Sequence, residues 1–407
     1  MAKRRSLGTR ALLESMGELG SFADSAVEIA GQGVRVVTMV LDRILPDPAQ
    51  PRRVLPESIR NDFLAGRISA RQALERWEAL VAEEAARSGR PRPDWMALLD
   101  RRPEDRAEDF FEIDPPGRPG PEEQLLRGIV TTAATIRHGG QVNPISVVEI
   151  DDGNYYRIET GERRYWAYHW LNAWLGNEFD QIQCVVVQHP SPWRQAAENT
   201  SHEGLSAIAT ARQLATLLLD LYGIWPDYSR PIPNDWYRQA LSYRVPRGEG
   251  ANLRAALGGI ERSQFSRIQA LLRLPDPVWE LADRHRVEEK SLRYVLKVEG
   301  ETRQLQLARA IIERDLTAER VQQIVEAGQV VAFLDTEPAR ERQRAGERLT
   351  VSERVANRWP GVVSQFSKAD LSLVADQWLR RQTLDEVRQQ VVMLRKLLEM
   401  VEKRVGK

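Results

Sequence analysis

The residues best suited to chemistry stand together at Thr160-Gly161-Glu162-Arg163-Arg164-Tyr165. A strand ends there, a glycine follows, and a helix starts. The first N–H groups of a helix lack intrahelical partners and lie at the positive end of its dipole, so an anion is favoured at that point. Gly161 lets a ligand approach the backbone, and Arg163 and Arg164 add fixed charge suited to phosphate oxygens. The same residues also fit a capped helix with surface arginines, and both readings stand at this level. No P-loop sequence occurs, and the glycines of 248–259 lack the strand-before, helix-after setting of a dinucleotide fingerprint.

A second constellation lies downstream. Leu253, Leu257, Ile260, Phe265, Ile268 and Leu272 can face one core, with Gly258-Gly259 as the turn between two helices, which is helix-turn-helix grammar. The second helix carries Arg262, Ser263, Gln264, Ser266 and Arg267 near its N-terminal, groove-facing end. Arg262 and Arg267 suit guanine or phosphate, and Gln264 suits adenine. Arg254 joins this DNA-facing set as one of six arginines, against two acids, between Arg244 and Arg273. A turn of this kind also occurs in helical domains that serve only as packing.

Other residues read as structural. Trp166, Trp170 and Trp174 recur every four positions, as a core-facing aromatic stripe does. Cys184 sits in an apolar strand and reads as a buried thiol. His169 and His202 accompany no Ser or Cys nucleophile pattern and read as ordinary polar residues.

The elements that must position these residues are legible from pattern. The 407 residues predict two to four structural units, and 42% hydrophobic against 29% charged residues is an ordinary globular mix. Lys+Arg and Asp+Glu are 58 each, which excludes a uniformly basic nucleic-acid coat but permits a basic face. The single cysteine excludes internal disulfides and fits a reducing cytoplasm. No zinc-site spacing of Cys and His occurs. Met1 to Gln32 carries four acids and no long apolar run, so neither a signal peptide nor a membrane span is expected, and the chain reads as cytoplasmic with no membrane association.

An α+β order is predicted, with an α/β front half and an all-helical back half. Residues 1–33 read as a basic arm and short helix. Residues 34–205 read as one α/β domain, with a strand at 34–40, another at 144–150, the turn Asp151-Asp152-Gly153-Asn154, a return strand, a helix at 162–175 and a strand at 182–187. An acidic insertion is expected at about 55–123, with helical patches around 70–84 and 94–99, and Asp100 to Glu123 holds nine acids, four arginines and five prolines and reads as a loop. Residues 206–335 read as the helix-turn-helix domain and 336–407 as a helical tail. There Leu384, Val387, Val391, Leu394, Leu398, Val401 and Val405 alternate spacings of three and four, a heptad seam that fits either a homodimer contact or packing on its own domain.

These motifs together resemble the ParB/Spo0J partition-protein family. Pro46-Asp47-Pro48-Ala49-Gln50-Pro51-Arg52 is similar to its N-P-x-Q-P-R box. Gly161-Glu162-Arg163-Arg164, after Asn143-Pro144-Ile145 and before Glu198-Asn199, is similar to its phosphate-binding boxes. Gly259 to Pro275 resembles its helix-turn-helix and the following Leu-Pro signature. The resemblance covers roughly 40–330 and implies a sulfiredoxin-like nucleotide domain and a CTP- and Mg²⁺-dependent clamp on double-stranded DNA at a specific site, acting in chromosome or plasmid partition at the nucleoid. By the same resemblance Gln50, Arg52 and Thr160 to Arg164 hold CTP, Asn199 coordinates Mg²⁺, and Glu162 and Glu198 position water or sense the γ-phosphate. The family's E-N-x-Q-R box reads Glu198-Asn199-Thr200-Ser201-His202, without its amide and arginine, so CTP hydrolysis is expected to be slow or absent. The basic arm, Lys3 to Arg10, loosely resembles the family segment that stimulates a ParA-type ATPase. Two alternatives stand beside this reading: a ParB-like transcription regulator without a nucleotide switch, and a ParB-type nuclease.

Overall fold

In this computed structural model the described residues are 36–101, 119–201 and 204–335, together with 391, 392 and 395. Short β-branched runs form a mixed five-stranded sheet, β1 (Val36–Val40), β2 (Ile44–Leu45), β3 (Ile145–Ile150), β4 (Tyr155–Thr160) and β5 (Gln181–Val187), in the order β1-β5-β3-β4-β2. β3 and β5 are parallel, as are β4 and β2, while β1–β5 and β3–β4 are antiparallel. The β3–β4 hairpin turns at Asp151, Asp152 and Gly153, whose φ values are 52°, 50° and 83°. Asp and Gly are the residues that enter this left-handed region most readily.

Helices α1 (Glu57–Leu64), α2 (Ala70–Arg87), α3 (Trp95–Asp100), α4 (Pro121–Gly139) and α5 (Glu162–Leu175) belong with this sheet. The first part of the predicted insertion at 55–123 is helical and packs against the sheet domain. Ser69 caps α2 in a reciprocal capping box with Gln72, and Ala73, Leu74, Trp77 and Val81 bury their side chains in the same core as Leu126, Val147 and Trp166. Those positions recur at helical spacing, so the segment supplies one face of the core instead of looping out of it. Glu123, read as part of the acidic stretch, is buried and paired with Arg90 and with Arg127. The intervening 102–118 lie outside the described residues.

The back half is helical throughout its described residues, as predicted: α6 (Pro192–Ser201), α7 (Ala207–Asp220), α8 (Asn234–Arg238), α9 (Gly250–Ala256), α10 (Arg262–Ala270), α11 (Asp276–Arg284), α12 (Glu289–Val295), α13 (Glu301–Glu313), α14 (Ala318–Glu326) and α15 (Val330–Asp335). Its axis is α7, which buries residues around most of its circumference, from Ile208 to Leu219. A helix apolar on every side must be surrounded, and α6, α8, α10 and α11 surround it. The second core built on α7 also takes in Ala49, which follows β2, and Ala196 of α6.

The chain divides into two compact units, Met1–Thr336 and Glu337–Lys407. In the second unit Val391, Val392 and Arg395 are helical. The heptad seam Leu384 to Val405 otherwise lies outside the described residues, as does the basic arm at 1–33.

The stripe on α5 packs as expected. Trp166 and Trp170 are fully buried, Trp166 meets Phe63 edge-on at 5.1 Å, and Trp170 stacks on Trp174 at 4.2 Å. Cys184 is buried, and desolvation pushes its thiol up to about 12. His169 is buried among these rings, and burial pulls its imidazole down to about 3.

Candidate functional site

Three stretches far apart in sequence meet at a cleft of about 410 Å³ lined by Gln50, Arg52, Val54, Thr132, Asn143, Gly161, Glu162, Arg163, Arg164, Glu198 and Asn199. That volume falls within the range of small-molecule sites, ~300–1,000 Å³. The first stretch is the loop after β2. Asp47 Oδ1 accepts from the Ala49 amide at 2.9 Å, the Gln50 amide donates to the Asp47 carbonyl at 3.1 Å, and Arg60 Nη2 donates to the Pro48 carbonyl at 2.5 Å. These hydrogen bonds fix the turn that sends Gln50 and Arg52 to the cleft. Gln50 is buried, and its Oε1 has no hydrogen-bond partner among the described residues. A buried acceptor left unpaired costs about 1–3 kcal/mol.

The second stretch is the β4–α5 junction. Gly161 caps α5 with φ 94°, and the first turn of the helix lines the cleft. The fold gives the glycine a reason of its own. A Cβ at 161 would meet Ile145 Cγ2 at 2.6 Å and Arg164 Cζ at 3.3 Å, so the approach of β3 excludes a side chain. Arg164 has a structural part as well. Its Nη1 donates to the carbonyls of Asn143 at 2.6 Å and Pro144 at 2.7 Å, tying α5 to the residues before β3. Burial lowers the guanidinium's pKa, and the charge of Glu198 opposes that shift. Arg163 lies along α4, where a Cβ at Gly128 would meet its Nη2 at 2.8 Å.

Glu162 is buried and accepts from Trp166 Nε1 at 3.1 Å. Burial pushes its carboxyl up to about 7, against the Trp166 hydrogen bond and the charge of Arg60, with Asp47 adding to the rise. Thr160 is buried at the end of β4 and is not among the lining residues.

The third stretch is α6. Glu159 drops out of the β3–β4 register at an irregularity beside Ser146, and its carboxylate accepts from the Ser191 amide at 2.7 Å and from Arg194 Nε at 2.6 Å. This anchors the start of α6, whose later turn brings Glu198 and Asn199 to the cleft. Asn199 is buried and gives its Nδ2 to Gln213 Oε1 at 3.0 Å, which leaves Oδ1 as the amide's other end.

The wall thus holds three arginines, a glutamine, and an asparagine beside a carboxylate, a set that fits a polyphosphate and a hard oxygen-seeking cation. Among the described residues no group of three or more His, Cys, Asp and Glu could hold a metal ion alone, so a cation here would share its shell with water or ligand oxygens. An adjoining recess of about 140 Å³ shares Arg52, Val54 and Arg163 and adds Arg53, Arg284 and Arg286. Sequence reasoning missed Thr132 and Val54 as lining residues. Thr132 sits in an apolar helix, and its polarity among apolar neighbours was the available signal.

In the back half α9 and α10 are joined by Gly258 and Gly259, with φ of 84° and 77°. Two successive left-handed residues require this pair of glycines. Leu253, Leu257, Phe265, Ile268 and Leu272 are buried in one core, and Ile260 packs against it half-buried. Arg262, Ser263 and Ser266 are exposed on α10, and Gln264 is half-buried.

Residues 253–329 match the family model described as the ParB HTH domain. A nucleoid occlusion protein of Listeria monocytogenes serotype 4b is 29% identical over 217 residues, 51% of this chain and 64% of its own length. Residues 253–329 are thus a ParB-type helix-turn-helix domain. The nucleoid occlusion protein of Bacillus subtilis is 26% identical over 204 residues, 48% of this chain and 61% of the relative. The chain therefore spans less than two thirds of the length of these curated relatives. The crystal structure of C-terminally truncated ParB from Caulobacter crescentus, complexed to the centromeric parS site, matches at 19% identity with a TM-score of 0.22, covering 49% of this chain and 88% of that one.

On the ParB-type helix-turn-helix the six predicted DNA-facing residues do not share one environment. Arg267 is half-buried with its Nε 3.5 Å from Glu289 of α12, so its charge is met inside the domain. Arg254 lies half-buried on α9, its Nη1 close against Gly250. That leaves Arg262, Ser263 and Ser266 as the outward set, with Gln264 beside them.

Proposed function

We propose that this ParB-type chain binds CTP with Mg²⁺ in the cleft and double-stranded DNA, at a specific site, through α10, and that it acts as a nucleotide-gated clamp in DNA segregation or nucleoid occlusion. The observation that carries this reading is the meeting of Gln50, Arg52, Arg163, Arg164 and Asn199 on one cleft wall. The arginines and the first turn of α5 would meet phosphate oxygens. Gln50 Oε1 can take an N–H such as the exocyclic amine of cytosine. Asn199 would give an oxygen to the cation, and Glu198 and Glu162 stand where water could be held. A bound Mg²⁺ would supply charge that draws the phosphate oxygens together. Binding and orientation are the whole of this scheme, and hydrolysis is expected to be slow or absent. Two copies would pair through 384–405, the 1–10 arm would meet a ParA-type ATPase, and the protein would reside on the nucleoid. Among the described residues no helix is long and apolar enough to cross a membrane.

Calorimetry with a panel of nucleoside triphosphates, with and without Mg²⁺ and DNA, tests the reading. CTP is expected to bind. Arg163→Ala should weaken it by about 1.5–3 kcal/mol for each charge-assisted hydrogen bond to phosphate that the guanidinium makes, with melting unchanged. No binding at millimolar CTP, or loss of fold together with binding in Arg163→Ala, overturns it. A transcription regulator without a nucleotide switch is the second reading, favoured by Ser201-His202 in place of the family's amide and arginine. It would be supported by DNA binding that no nucleotide alters.

A further inference from the structure

Gln213 lies on α7, outside the cleft, and is 1% exposed. Its side chain stands between two partners. Nε2 faces the Pro192 carbonyl at the start of α6, at 3.5 Å, and Oε1 accepts from Asn199 Nδ2 at 3.0 Å. A backbone carbonyl can only accept, so the Pro192 end sets the direction of the whole chain of bonds. Gln213 must present its N–H₂ to Pro192 and hence its oxygen to Asn199. Asn199 must answer with its N–H₂, and the end left over is the carbonyl oxygen. Turned the other way, the same amide would offer N–H₂ groups to the cleft and repel a cation.

We propose that Gln213 is a positioning residue that locks the Asn199 amide with Oδ1 available to a divalent cation, and so sets how strongly nucleotide binding depends on that cation. The inference rests on the reading of the cleft as a Mg²⁺–CTP site. It adds a residue that contributes no atom to the lining and that belongs to the core of the helical half. Supporting residues of this kind matter because an amide held in one orientation costs nothing to reorganise when the ligand arrives.

The test compares CTP affinity with Mg²⁺ and with EDTA for the full chain and its variants. Gln213→Leu removes the acceptor. Its gain in affinity from Mg²⁺ should fall by ~10–100-fold, the usual effect of losing a residue that orients a metal ligand, while affinity in EDTA stays close to the wild type's. Gln213→Glu keeps an oxygen facing Asn199 Nδ2 and should keep most of the Mg²⁺ gain. Asn199→Asp placed in the Gln213→Leu chain should restore it, because a carboxylate has no wrong end. A merely structural Gln213 would lower affinity in EDTA as much as in Mg²⁺, and Asn199→Asp would not rescue it. Should Gln213→Leu melt below the assay temperature, Gln213→Met takes its place with the same expectation. A Gln213→Leu chain with the wild type's Mg²⁺ gain, or failure of the carboxylate rescue, overturns the inference alone. A wild type that binds no CTP, or binds it equally without Mg²⁺, overturns the reading of the cleft and this inference with it.

Discussion

Gly161 lies so close to Ile145 that a Cβ would stand 2.6 Å from the Cγ2 of that side chain, and its own φ is 94°. Both the close approach and the backbone angle forbid a side chain. Gly161→Ala should therefore destabilise the fold, by about 1–3 kcal/mol from the backbone angle alone. The check is a urea denaturation curve run beside Arg163→Ala, which should denature like the wild type. If Gly161→Ala keeps the wild type's midpoint, β3 and α5 are not packed as described.

Glu162 makes stability depend on pH. Its carboxyl is raised from 4.5 to about 7 by burial. A folded value above the unfolded one means the folded chain holds the proton more tightly. The stabilisation is complete below about pH 4.5 and is lost as pH rises through about 7, a difference on the order of 3 kcal/mol. Glu162→Gln keeps an oxygen for Trp166 and cannot ionise, so it should gain on the wild type between pH 5 and 8.5 (about the span of the titration). Parallel pH profiles of denaturation midpoint for the two chains would remove Glu162 as the titrating group.

Arg212 is fully buried, pairs with Asp283 and gives Nη1 to the Pro51 carbonyl at 3.3 Å. Arg212→Met strands the Asp283 carboxylate and should cost about 3–5 kcal/mol. Arg212→Met combined with Asp283→Leu removes both charges and should recover most of the loss. Equilibrium denaturation of the single and double variants measures this coupling, and strict additivity of the two substitutions would show that the pair does not act as one.

On α10, Arg262→Ala or Gln264→Ala should relax sequence preference at one base position by about 1–3 kcal/mol. Arg267→Ala should act chiefly on stability, because its charge is taken up by Glu289. Binding to an arrayed set of site variants separates these outcomes, and an Arg262→Ala effect uniform over all sequences would make that residue a phosphate-binding group.

Much of this was legible in the residues. Alternating β-branched runs, the Asp-Asp-Gly-Asn turn and the 162–175 helix fell where local preference and periodicity put them. So did the glycine pair between α9 and α10. The boxes at 50–52, 161–164 and 198–199 could be named in the sequence, and their meeting in one cleft depends on the sheet order and the anchor at Glu159. The helical patches at 70–84 and 94–99 could be read from pattern, but their place in the core could not, because the residues they pack on, such as Leu126, Val147 and Trp166, lie far along the chain. Gln213 and Arg212 were invisible for a related reason. A polar residue in an apolar helix shows its purpose only when the partner, here 14 or 161 residues away, is brought beside it.

Ala49 sits in the core of the helical half, while its neighbour Gln50 faces the cleft. The Tyr237 hydroxyl donates to the Ala49 carbonyl at 3.2 Å, and Arg284 reaches the carbonyls of Arg53 and Val54. The first box is thus built by one half of the sequence and seated by the other. A fragment cut after residue 205 would leave this loop without its seat, and a fragment beginning there would carry a hole where Ala49 belongs. Each half cut alone at that point is therefore expected to melt below the intact chain, and substitutions on the two sides of the joint are expected to be coupled.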